Sequence, residues 1–254
     1  SAFDDELVIQ AEDILKSRGV EIKTGDGVKE LMGDEKVNGV LLNSGEKLEA
    51  DAVLLVMGYR PNTALAEKSG IKLNEMGFIK VNDYMRTENP DIFAVGDCAE
   101  KQSFITGTLR NVMLASTACA EARIAALNLF NLCVLKTFRG TIAIYSTVIG
   151  DTAFGVAGVT ERLAKQRGFR IVTGSFEGID KHPSTLQGTH KQFVKLVASL
   201  QSGVIIGGQV IGGVSTGELT NLIGLAVENR MTVHAILTAQ VGTHPLLTAP
   251  PTAV

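Results

Sequence analysis

The apolar positions change period several times along the chain, and each change predicts an element. Between Asp4 and Arg18, Leu7, Ala11, Ile14 and Leu15 recur at helical spacing and Gly19 supplies a stop, so an amphipathic helix is expected there. Val20-Glu21-Ile22-Lys23 then alternates like a strand. Residues 37–42 and 47–49 flank Asn43-Ser44-Gly45 and read as a hairpin. Ala52 to Met57 is an unbroken apolar run, the pattern of a strand buried on both faces.

A second apolar run, Ile92 to Val95, ends in Gly96-Asp97, and the alanine-rich stretch from Leu114 to Phe130 reads as a helix. Beyond residue 137 the pattern becomes that of a separate unit. Thr141 to Val159 is strand-rich, Glu161 to Arg167 is a short polar helix, and Arg170 to Phe176 alternates again. Phe193–Val197 and Val204–Ile211, joined around Gln201-Ser202-Gly203, predict an antiparallel hairpin, and two helices, 217–228 and 232–239, follow. Strands followed by helices indicate an α+β sandwich. The glycines between Gly203 and Gly213 mark close packing or a bulge, with an anion-binding nest as the alternative. Leu222, Ile223, Ile236 and Leu237 suit either a core or an interface.

Composition narrows the class. With 254 residues, 45% of them hydrophobic, the chain can bury a substantial core in one or two domains. A formal charge of −3 offers no broad basic footprint for nucleic acid, and no apolar run reaches the roughly 18 residues of a spanning helix. Three cysteines, Cys98, Cys119 and Cys133, have neither disulfide nor zinc spacing, which fits a reducing cytoplasm. Cys98 reads as a small packed residue. His182, followed by proline, reads as a loop residue, and His190 and His234 have no metal-ligand spacing.

The chemistry-bearing stretch is Thr87–Glu100, TENPDIFAVGDCAE. A glycine ending a strand lets a ligand approach the backbone, and the carboxylate after it can accept hydrogen bonds from sugar-like hydroxyls. Taken alone, Ile92 to Val95 could equally be any parallel strand, with Asp97 capping the next helix. Upstream, ADAVLLVMGYRPNT at 50–63 ends another apolar run in Gly58, and LASTA at 114–118 opens the alanine-rich helix.

Together these three segments resemble the flavoprotein disulfide reductase family, in the branch of the NADH oxidases and coenzyme A disulfide reductases. The resemblance spans nearly the whole chain. It implies α/β portions of an NAD-binding domain (1–57) and an FAD-binding domain (58–136), followed by an α+β dimerisation domain (137–254). It also implies that Asp97 bonds the flavin ribityl, with Gly96 allowing close approach. The helix that starts at Ala115, Ser116 and Thr117 would turn its amides to the flavin ring, where the positive end of a helix stabilises electron density.

The family's two G-x-G-x-x-G turns and its redox cysteine have no counterpart in this chain. The expectation is therefore a C-terminal piece of a longer FAD-dependent NAD(P)H oxidoreductase, inactive by itself, that pairs as a homodimer. The parent would pass electrons from NAD(P)H through FAD to a small-molecule acceptor. A stand-alone dimerisation or binding module is the alternative. His244-Pro245 stands where related reductases carry a His-Pro pair acting as acid/base, and histidine suits that task. The carboxylate that assists such a histidine is missing from Leu246-Leu247-Thr248-Ala249, so a structural histidine remains the other reading.

Overall fold

In the computed structural model, residues 2–131, 133, 137–248 and 250 are described. The chain divides into two compact units, residues 12–60 and the remainder.

In the smaller unit, three strands, β1 (Val28–Met32), β2 (Gly39–Leu42) and β3 (Lys47–Glu49), form an antiparallel meander. The predicted hairpin is β2–β3, turning at Gly45 with φ +91, a region that suits glycine. β1, which the sequence pattern did not single out, pairs with the other edge of β2. Val40 and Leu42 are buried. Two expected strands are absent. Val20–Lys23 has no ladder partner among the described residues, and Ala52–Met57 runs as irregular chain with Leu54 90%, Val56 84% and Met57 89% exposed. An apolar run becomes a strand only when neighbours satisfy its backbone groups, and no described strand lies beside this one.

The larger unit holds the first turns of α1 (Asp5–Ser17), then α2 (Ala64–Lys68), a single 3-10 turn at Gly96–Cys98, and α3 (Ala115–Leu127). The stretch around the 3-10 turn is stitched by isolated bridges, Ile79 with Ala99 and Arg86 with Phe93, over a small core of Ala66, Ile79, Ala94 and Ala99. The expected strand at Ile92–Val95 is thus reduced to one bridge at Phe93.

The second half follows its pattern closely. Strands β4 (Tyr145–Ile149), β5 (Thr152–Gly158), β6 (Ile171–Ile179), β7 (Lys191–Ser199) and β8 (Ile205–Gly212) form one antiparallel sheet in the order β4-β5-β8-β7-β6. The β7–β8 hairpin closes at Gly203, whose amide donates to the Ser199 carbonyl at 2.8 Å. β8 sits centrally and is buried at every residue. Its glycines are packing residues. A Cβ on Gly207 would collide with the Val159 backbone, and one on Gly208 would lie 2.8 Å from the Lys195 carbonyl.

Helix α5 (Thr216–Glu228) covers one face, placing Leu219, Ile223 and Val227 against Val194 and Val210. Helix α4 (Glu161–Gln166) covers the other through Ala164, which meets Val197 and Ile206. Ile223 is core at 1% exposure, Ile236 on α6 (Val233–Leu237) packs against that core, and Leu237 points outward at 78%. Burying a side chain such as Ile223 contributes about 1.5–3 kcal/mol.

Candidate functional site

Gly96 has φ +79, a conformation that side chains with a Cβ rarely adopt. Val95 before it is extended, and the chain then tightens into the 3-10 turn, closed by the Ala99 amide donating to the Gly96 carbonyl at 3.0 Å. The turn lies against α3, and a Cβ on Gly96 would sit 3.6 Å from that of Ala118. Glycine is needed here for its backbone rather than for space.

Beneath the turn lies an ion pair with no side-chain exposure on either partner. Lys101 Nζ is 3.4 Å from Glu121 Oε1. The Gly96 amide donates to Glu121 Oε2 at 2.7 Å, and Lys101 donates to the carbonyls of Gly96 and, at 3.1 Å, Ala99. Burial pushes the Glu121 carboxyl up, against the Gly96 amide and the Lys101 ammonium that lower it.

Above this anchored peptide the Asp97 carboxylate is exposed and accepts no hydrogen bond from the described residues. Helix α3 begins at Ala115 without a side-chain cap, so its first amides are left for another acceptor. Ala115 and Ser116 are exposed, whereas Thr117 is buried with its hydroxyl 3.0 Å from that of Thr141, so only its amide remains for a ligand. A free carboxylate beside a left-handed glycine and an uncapped 13-residue helix suit a ligand carrying both hydroxyls and an electron-rich edge. A flavin with its ribityl chain has both, so these residues fit it.

Cys98 is half-buried among Ala66, Ile79 and Ala94, as a packed small residue should be. His244 is exposed in a turn apart from Asp97 in sequence; its Nδ1 accepts the Leu246 amide at 3.2 Å and its amide donates to Thr248 Oγ1 at 2.9 Å. That bond leaves Nε2 to carry the proton of the neutral ring.

Sequence reasoning missed Lys101 and Glu121. Glu121 had a signal, a lone carboxylate on the alanine-rich segment ASTACAEARIAAL. A second cluster, built around the buried Asp4 and Lys195, was missed as well. Asp4 accepts the amides of Glu161 and Arg162 at 3.0 Å each, exchanges hydrogen bonds with Gln209 at 2.8 and 2.6 Å, and lies 3.3 Å from Lys195 Nζ. Glu6 and Glu161 also ion-pair with that ammonium, which fills the place a cation would take among the three carboxylates.

Among solved structures, an NAD-dependent persulfide reductase from A. fulgidus superposes with a TM-score of 0.88 at 27% identity over 99% of this chain and 46% of its own. An NADH oxidase of Enterococcus faecalis is 34% identical over 86% of the chain and 48% of its own length. An NAD(P)H coenzyme A polysulfide/persulfide reductase of Pyrococcus horikoshii is 29% identical over 83% and 46% respectively. The chain therefore spans about half the length of the curated relatives it matches. No helix among the described residues is long and apolar enough to cross a membrane. The family model of pyridine nucleotide-disulphide oxidoreductases matches residues 1–122 and the model of that family's dimerisation domain matches 144–254, so the chain belongs to the pyridine nucleotide-disulphide oxidoreductases.

Proposed function

We propose that this chain supplies the ribityl-binding edge and the subunit-pairing domain of an FAD-dependent NAD(P)H oxidoreductase of the NADH oxidase or coenzyme A disulfide reductase type. The observation that carries the reading is the exposed Asp97 carboxylate on the left-handed Gly96 turn, which accepts no hydrogen bond from the described residues. Asp97 accepts hydroxyl hydrogens, and the amides of Ala115, Ser116 and Thr117 face the flavin ring. The flavin, when bound, supplies the redox chemistry. Residues 1–57, 58–136 and 137–254 serve as NAD-domain, FAD-domain and dimerisation portions, and two copies pair through the last.

The chain carries neither dinucleotide-binding glycine turn, so the reading gives it weak flavin affinity and no turnover alone. Turnover, with a small-molecule electron acceptor and a cytoplasmic setting, belongs to the longer protein that this reading assigns it to. His244 is assigned acid/base work there. Titration with FAD, followed by quenching of flavin fluorescence, tests the reading. The wild-type chain should bind saturably but weakly. Replacing Asp97 by Ala should weaken binding about ten- to a hundredfold, the scale of hydrogen bonds to a charged group. Equal affinity in Asp97→Ala removes Asp97 from the site, and a colourless dimer that takes up no flavin favours a pairing module.

A further inference from the structure

We propose that the buried Lys101–Glu121 pair is a positioning clamp for the flavin loop, holding both polar atoms of Gly96 and thereby setting where the Asp97 carboxylate stands. The proposal rests on the reading of Asp97 as a flavin ligand. A buried ion pair is a poor way to gain stability, because apolar residues of similar volume usually do as well or better. Its place on an otherwise alanine-rich helix points to what it holds. The geometry agrees. The two charges stand 3.4 Å apart, and Glu121 Oε1 accepts no hydrogen bond from the described residues, whereas Glu121 Oε2 takes the Gly96 amide at 2.7 Å. Lys101 spends its donors on the Gly96 and Ala99 carbonyls.

The bonds into the loop are thus tighter than the bond within the pair. They grip a residue with φ +79, whose alternative conformations are many because it is glycine. Without the clamp, Gly96 would sample those alternatives and Asp97 would leave its place. A ligand would then have to order the loop as it bound, at a cost in affinity. Lys101 and Glu121 touch no ligand in this account. They act through Gly96.

Amide hydrogen exchange at Gly96, read by NMR, tests the clamp without reference to turnover. Riboflavin affinity reads its consequence, since riboflavin carries the ribityl chain without the pyrophosphate. Glu121→Leu removes the acceptor, and the double variant Lys101→Met/Glu121→Leu removes both charges while filling the space, so a test survives if the single variant does not fold. In both, the Gly96 amide should exchange at least about tenfold faster and riboflavin bind about tenfold more weakly, while β7 and β8 amides keep their protection. Glu121→Gln retains an acceptor oxygen and should restore both readouts toward wild type. Wild-type protection of Gly96 in the folded double variant overturns the clamp. So does unchanged riboflavin affinity beside a loosened Gly96. If the wild-type chain binds no riboflavin, the flavin reading of Asp97 fails, and the exchange measurement still decides whether the pair grips the loop.

Discussion

Lys195 is a cation in the middle of the apolar strand β7, 5% exposed, and it survives there because three carboxylates surround it. Burial alone would lower its pKa, but Glu161, Glu6 and Asp4 raise it well above the ordinary 10.5. Burial likewise pushes Asp4 up, yet the Arg162 amide, the Lys195 ammonium, the Glu161 amide and Gln209 together hold it below its ordinary 3.8. The signs set the pH window. A depressed carboxyl contributes stability above its unfolded value that is lost as pH falls through the folded one, and a raised lysine contributes stability that is lost only as pH rises through its folded value. Urea unfolding of Asp4→Asn against wild type should show a loss of about 3 kcal/mol at pH 7, the scale of a broken buried pair, shrinking as pH falls below 3.8. A difference that stays constant into acid would show that the Asp4 charge is not what holds the cluster.

At the scale of elements, β8 and α5 show how glycine builds a core. Thr220 on α5 presses on Gly155, and Gly207 passes against the Val159 backbone, so the absent side chains are what let helix and strand approach. Gly207→Ala places a methyl group against fixed backbone and should cost about 1–3 kcal/mol by thermal or urea unfolding, as overpacking does. Unchanged stability would mean that β5 and β8 separate freely. The second half was legible because antiparallel strands carry alternation and turn residues in their own sequence, as at Gln201-Ser202-Gly203. The runs at Ala52–Met57 and Ile92–Val95 misled for the opposite reason. Their apolarity signals a buried strand, but a ladder is made by neighbours, and the described residues supply none for the first and one bridge for the second. Lys101 and Lys195 were hidden because a lysine in sequence reads as surface. Only packing reveals that its amine is buried.

For the whole molecule, the family models account for residues 1–122 and 144–254, and the central claim concerns one loop in the first of them. Gly96 and Asp97 were readable as a motif. Their setting over a buried ion pair and beside an uncapped helix needed the structure. The most direct test compares two probes by NMR, riboflavin and lumiflavin, which share the isoalloxazine ring but differ in that lumiflavin carries a methyl group in place of the ribityl chain. Riboflavin should shift the amides of Gly96, Asp97 and Ala115–Thr117, while lumiflavin should leave Asp97 unmoved. Shifts at Asp97 of equal size with both probes, or none with riboflavin at saturation, would contradict the claim.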